Sequence, residues 1–561
     1  MRRILSWTGA ALLLSPAAPG RAEETLSYDL TVRGGDRPAV EITLTCRGRD
    51  TGETAFALCE DWHQMSSCHD RVQDFTVHDA KGRQLEVRAP EPRLRVVRHA
   101  PRETLRAAYR LRGDETAHGS APLTRPDFVQ VLGYSLAAPA HLLPSERHRF
   151  RARWRGLERA GWRAASSFGV GERARYEGTL PDFRHSLWVA GRLRLLTDRV
   201  RRSPVHLAIA GEDWGFTDLE LQRLLLRLVT EVRGLLRDWD HPPLLVAVAP
   251  WGEKQGGHSI TQGSGFVNAF SLLLTPGATL KPRQRSAHLL RFLAHEMFHQ
   301  WTGRRVREGE PERAGEWFFE GFTDFYARRL LRRTGLIDAP AAVADLNYAL
   351  ARYWLNPFRN VKGVEAVYGS GQDLEDVSYQ RGDIVAVLLD TEVRRASGGR
   401  KTLDDVMRAV VSEARRTPTA FDTERLLRLF TAYTSPAFVE TLRRIVVDGE
   451  TPVLGAPQVG PCLLVGEQKL GRFEMGFDFE ASSQSGVVGG VVPGSAAHAA
   501  GLRDGQKLLG WSFGGRDPAT PVKLRVDGGE GARPVSYLPN DGSVSAPRLT
   551  LAPGAACGDL P

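Results

Sequence analysis

The chain has 561 residues, a formal net charge of +9, 42% hydrophobic residues and 25% charged residues. At roughly 150 residues per domain that length fits three or four domains, and the composition is that of a folded globular protein, which excludes a disordered tail protein and a multispanning membrane protein. The basic residues are overwhelmingly Arg and are scattered rather than gathered into a stripe with interleaved aromatics, so nucleic acid is not an expected partner.

In chain order, Arg2 and Arg3 precede an apolar run over residues 4–14, and small residues lead to Gly20, Arg21 and Ala22. This reads as a secretory signal peptide, residues 1–22, and implies a periplasmic or secreted protein with no stable membrane anchor after cleavage. Residues 23–200 alternate apolar and polar positions in short runs, as in Leu26-Ser27-Tyr28-Asp29-Leu30, and read as an all-β, sandwich-like domain. From Val205 the pattern becomes strand, helix, strand, followed by a Gly-rich passage over 256–265 and another apolar run. Helical periodicity dominates from Arg283 to Asp448, and short strands with Gly-Pro turns return beyond Pro457. The predicted domains are therefore 23–200, 201–334, 335–456 and 457–561. The dense run of Arg328, Arg329, Arg332 and Arg333 has helical spacing and is expected on a solvated face.

Five cysteines fit an oxidising compartment. Two bridges and one free thiol are the simplest account of Cys46, Cys59, Cys68, Cys462 and Cys557, with Cys59 and Cys68 able to close a short loop and Cys462 and Cys557 flanking the last domain.

The chemistry is concentrated in Leu293-Ala294-His295-Glu296-Met297-Phe298-His299-Gln300. On a helix, His295 and His299 project from one face one turn apart, so both imidazoles can reach one zinc ion. Glu296, beside the first ligand, can take a proton from water activated there. A catalytic zinc site needs a third protein ligand. Glu320 supplies it from a second apolar helix, Glu316-Trp317-Phe318-Phe319-Glu320-Gly321-Phe322-Thr323-Asp324, after a connection long enough for an antiparallel return. Asp324, one turn beyond Glu320, can hold the outer N–H of a ligating histidine. It reads equally as a solvated acid.

The pairing of H-E-x-x-H with W-x-x-E-G-F-T-x-x-Y resembles the gluzincin metallopeptidases, and most the glycyl aminopeptidase family. The resemblance implies a multidomain α+β fold: a thermolysin-like α/β region at 201–334, a helical domain at 335–456 that completes the active site, and one zinc ion. Val377-Ser378-Tyr379-Gln380-Arg381-Gly382 resembles the segment whose tyrosine hydrogen-bonds the oxyanion in that family, a role that falls on Tyr379. Met475-Gly476-Phe477-Asp478-Phe479, the run from Val487 to Ala497 and Ala500-Gly501-Leu502-Arg503-Asp504-Gly505 make residues 457–561 similar to a PDZ domain, which implies that backbone N–H groups near Gly476 and Phe477 receive a peptide C-terminus as an added strand. In aminopeptidases of this group a Glu-containing edge-strand segment reads the substrate amine. The corresponding Gly263-Ser264-Gly265-Phe266-Val267-Asn268 lacks the Glu, and Gly265 and Asn268 are the candidate substrate contacts there. The implied activity is zinc-dependent hydrolysis of peptides or proteins, as an aminopeptidase of glycyl or alanyl preference with Glu296 as general base. An endopeptidase without amine recognition, or a PDZ-type scaffold with a structural zinc, are the alternatives.

Overall fold

The computed structural model describes residues 24–33, 39–59, 68–113, 121–158, 161–252, 261–281, 283–309, 313–363, 372–417, 419–513 and 517–554. The expected signal peptide and Cys557 lie outside them.

Among its described residues the N-terminal part is mostly β, as its alternation predicts, with one short α-helix at Leu180–Arg184. Strand Thr25–Arg33 buries Leu26, Tyr28 and Leu30 and turns the intervening residues outward, and it pairs antiparallel with Ala39–Arg47 and parallel with Arg147–Arg155. Three sheets of seven, five and four strands form here, rather than the two of a sandwich. Cys59 and Cys68 are disulfide-bonded, and Cys46 is buried and free. Cys462 is also disulfide-bonded.

A five-stranded mixed sheet follows. Its central strands, Ser203–Ile209, Leu244–Pro250 and Ala269–Leu274, run parallel, and the antiparallel strands Arg194–Val200 and Thr261–Phe266 form its two edges. The central strands are buried on both faces, which explains their near-continuous apolar text. On one face Leu207, Val246, Val248, Phe270 and Leu272 pack against helices, beginning with α1 (Asp218–Leu236), which is closed at its start by a Thr217/Glu220 capping box. On the other face small residues, Ala208, Ala210, Ala247, Ala249 and Ala269, pack onto the N-terminal β core. Short side chains allow sheet and β region to approach closely, so one core runs past the expected boundary at 200.

The helical region comprises α2 (Arg283–Phe298), α3 (Glu316–Phe319), α4 (Gly321–Arg333), α5 (Ala339–Leu355), α6 (Gln372–Ala396), α7 (Leu403–Arg416), α8 (Thr423–Phe430) and α9 (Pro436–Val446). A single core joins these helices to the sheet, with no break near 334. Two of the four arginines of α4 depart from the expected solvated face: Arg328 and Arg329 are 3% and 4% exposed, whereas Arg332 is half-buried and Arg333 exposed. Arg328 makes paired hydrogen bonds to Asp383 of α6 at 2.8 and 2.6 Å, and Arg329 faces Asp404 and Asp390 at 3.3 and 3.6 Å. Distant acids compensate these cations, and helical spacing carries no record of them.

Strands Leu463–Phe473 and Asn540–Leu551 form a ribbon that Asn347 of α5 grips through both backbone groups of Leu549. Beyond it a three-stranded sheet and two short helices have their own small core. Phe477, expected in a peptide-receiving loop, is a member of that core and is 6% exposed, while the N–H of Gly476 is bonded to Glu474. The next segment is the helix Phe479–Ser485, whose backbone groups are turned inward, so it offers no extended edge for strand addition.

Candidate metal centre and catalytic cleft

Three elements converge beneath the edge strand. α2 carries His295 and Glu296, and His299 continues its last turn through an N–H bond to the carbonyl of His295. The residues after His299 anchor this end of the helix. Gln300 donates to the carbonyls of Phe266 and Ala269 at 3.1 and 3.0 Å, which ties the helix end to the edge hairpin. The Trp301 indole donates to Asp238, and the Thr302 hydroxyl shares a 2.5 Å bond with Thr323 of α4. Phe298 stacks on Tyr326 at 4.5 Å, closing α2 onto α4.

Glu320 sits at the junction of α3 and α4. Its Oε2 lies 3.2 Å from Nε2 of His295 and 3.3 Å from Nε2 of His299, and the two Nε2 atoms are 3.0 Å apart. The outer nitrogens are occupied: Nδ1 of His295 contacts Oδ1 of Asp324 at 2.8 Å, and Nδ1 of His299 contacts the carbonyl of Thr302 at 3.2 Å. Donation by both Nδ1–H groups turns both Nε2 lone pairs toward Glu320. Oε2 of Glu320 is buried without a hydrogen bond. Two lone pairs and a carboxylate oxygen at mutual distances near 3 Å fit a shared cation, and this donor set suits zinc.

Electrostatics agree. Burial disfavours charge on His295, yet Asp324 and Glu320 outweigh it and push its pKa up to about 10. Burial would raise Glu320, but His299 and His295 hold it well below the usual carboxylate range. The site is built to hold positive charge. Asp324 is the histidine partner, not a solvated acid, and its second oxygen is 2.9 Å from Arg291.

Glu296 is 8% exposed, and burial raises its pKa although His299 and His295 oppose the shift. A Cβ placed on Gly265 would lie 3.8 Å from its Oε2 and 3.5 Å from the Cβ of His299, so Gly265 does border the site. Asn268 does not reach it through its backbone. It occupies the hairpin turn at φ 54°, and its carbonyl accepts from Leu245. An Asn in a two-residue turn between apolar runs is itself a hairpin signal.

Tyr379 lies on α6 with its ring parallel to His295, 6.2 Å between centroids and 10° between planes. Burial, then the charges of Glu320, Glu316 and Asp324, raise its pKa far above the ordinary phenol value, so it is a donor. The glycines beside Glu320 and Tyr379 explain how these helices meet: a Cβ on Gly321 would fall 2.3 Å from the Cα of Gly382, and one on Gly382 would fall 1.7 Å from the carbonyl oxygen of Trp317. Sequence reading missed two further charged groups. Arg304 donates to the carbonyl of Gly265 at 2.5 Å, and Glu316, raised by burial and by Glu320 and Glu375, faces Arg313 at 2.7 Å. Arg304 follows the second histidine by five residues, and only its place in the fold distinguishes it from the chain's many other arginines.

Residues 288–381, which include His295, Glu296, His299, Glu320, Asp324 and Tyr379, match the family model described as M61 glycyl aminopeptidase. Across nearly the whole chain the fold is similar to an aminopeptidase N family protein from Idiomarina loihiensis, with a TM-score of 0.74 at 16% identity, covering 94% of this chain and 98% of that one. An M1 zinc metallopeptidase from Deinococcus radiodurans, in a variant bound to a Tyr-Ser-Ala substrate, matches with a TM-score of 0.50 at 18% identity, covering 78% of this chain and 96% of that one. No curated protein matches the chain. The matched segment thus sits within a multidomain α/β fold similar to that of the aminopeptidase N family protein.

Proposed function

We propose that the protein is a zinc-dependent peptidase that trims small residues, Gly or Ala, from peptide N-termini. The observation that carries this is the convergence of Nε2 of His295, Nε2 of His299 and Oε2 of Glu320 on one point, with Glu296 beside it. When bound, zinc acidifies water and polarises the scissile carbonyl. The chain's residues do the rest. The edge strand Thr261–Phe266 offers its outer side to an extended substrate, and Gly265 leaves room for it next to the catalytic base. Glu296, its pKa raised by burial, takes a proton from water and returns it to the leaving amine. Tyr379 donates to the carbonyl oxygen as it becomes anionic, a contribution of about 3 kcal/mol.

Aminopeptidase action needs a carboxylate for the substrate ammonium. Glu316 supplies negative charge beside Tyr379, and Arg313 links it to Glu375. The second reading, an endopeptidase, is favoured by one observation: the charged group at Gly265 is Arg304, not an acid. Cleavage of an Ala- or Gly-initiated peptide and its N-acetylated twin, with and without chelator, separates the two. Chelator-sensitive trimming of the free peptide alone is expected, whereas internal cuts in both would establish the endopeptidase. Glu296→Gln should abolish turnover with zinc retained; zinc loss would mean that base and ligand are misassigned. The disulfides support export to the periplasm or beyond. Among the described residues no helix is long and apolar enough to cross a membrane.

A further inference from the structure

A cavity of about 250 Å³ opens between the end of α2 and α7, lined by Arg304, Arg305, Arg307, Ala414, Arg415 and Thr419. Three of its four arginines have acids. Arg305 and Arg415 both lie 3.3 Å from the buried Asp238, Arg415 also faces the exposed Asp240 at 3.8 Å, and Arg307 is 2.6 Å from Asp182. Arg304 has none. Its only hydrogen bond is the one to Gly265, and among the described residues no carboxylate lies within ion-pair distance. Burial and the neighbouring Arg307 lower its pKa to about 10, while Asp182 and Glu296 act in the opposite direction. The buried Nε of Arg305 also has no hydrogen-bond partner.

We propose that this cavity is a carboxylate-binding subsite of the cleft, in which Arg304, backed by Arg305 and Arg415, receives a carboxylate of the bound peptide. The location argues for a peptide carboxylate. Arg304 holds the backbone of Gly265, which borders Glu296, so the guanidinium lies beside the strand along which a peptide would extend. The chemistry agrees, because a planar guanidinium fork matches a carboxylate in two parallel bonds, and a half-buried cation without an ion-pair partner gains from an incoming anion. The volume takes one side chain or one chain terminus. This inference rests on the peptidase reading for the nature of its ligand.

The test is binding, read by titration calorimetry on the zinc-loaded Glu296→Gln protein. The probes are alanine pentapeptides carrying one Glu at each of positions two to five, their Gln counterparts, and each of these as free acid and as C-terminal amide. One carboxylate is expected to tighten binding about 10- to 100-fold, and Arg304→Gln, which can still donate to Gly265, should bring the ratio to near one. Arg415→Gln, at the opposite wall, should reduce it without touching the edge strand. Dependence on Glu against Gln assigns a side chain, and dependence on acid against amide assigns the C-terminus. Equal affinities for all probes, or a preference untouched by both substitutions, would overturn the proposal. Absence of cleavage by the unmodified protein, with carboxylate-dependent binding intact, would remove the peptidase reading and leave the subsite.

Discussion

The contact between Gly321 and Gly382 makes a sharp prediction for Gly382→Ala. The added Cβ would sit 1.7 Å from the Trp317 carbonyl oxygen and 2.8 Å from the Cα of Gly321. Ordinary contact begins at 3.4 Å, so α6 must retreat from α3 by roughly half that distance. The obstacle is backbone, which cannot rotate away like a side chain. Overpacking of this kind costs about 1–3 kcal/mol or more. Tyr379 lies one turn before Gly382 on α6, and Glu320 lies directly before Gly321, so the retreat draws the phenol away from the metal ligands. A misplacement of about 1 Å lowers the rate about 100-fold. Thermal unfolding should therefore show a lowered midpoint, and peptide cleavage should show a kcat loss of about two orders of magnitude, with zinc content unchanged. Wild-type kcat in a folded Gly382→Ala protein would refute the argument that this contact positions Tyr379.

Asp324→Asn keeps the shape but weakens the grip on Nδ1 of His295, and zinc affinity by competition with a chelator should fall about 10- to 100-fold. Unchanged affinity would reduce Asp324 to a partner of Arg291. Tyr379→Phe should lower kcat by about 100-fold with little change in KM, and an unchanged kcat would remove Tyr379 from the chemistry. Burial holds His185 and His241 neutral, with pKa values lowered from 6.5 to about 4. Their folded values lie below the unfolded one, so the stability they contribute is complete above pH 6.5 and is lost as pH falls toward 4. Urea unfolding at pH 7 and pH 4.5 should show this loss, and His185→Gln should reduce it; a loss identical in the variant would exclude His185 as a source.

Much of the site was legible in the text because its logic is local. A four-residue spacing puts His295 and His299 on one helical face whatever surrounds the helix, and Glu320 and Asp324 share a face for the same reason. Tyr379 was legible only through resemblance, since its approach to His295 depends on how α6 crosses α4. The pairing of Cys59 with Cys68 was legible because they stand nine positions apart in the chain.

Other features depended on residues far apart in the chain. Periodicity placed Arg328 and Arg329 on a helix and predicted water around them, yet Asp383, Asp390 and Asp404 make that face interior. Alternation identified strands but did not show that the alanines of the central sheet would join its core to that of the β region. Resemblance to a PDZ domain implied a peptide-receiving loop at Gly476 and Phe477, whereas the folded segment buries Phe477 and continues as a helix. Element type and donor identity were readable from the residues because they follow from short-range geometry. Which charges are buried, which are compensated, and why Arg304 is left without an acid beside the catalytic base were settled by long-range packing, where the cost of desolvating a charge depends on partners that only the folded chain brings near.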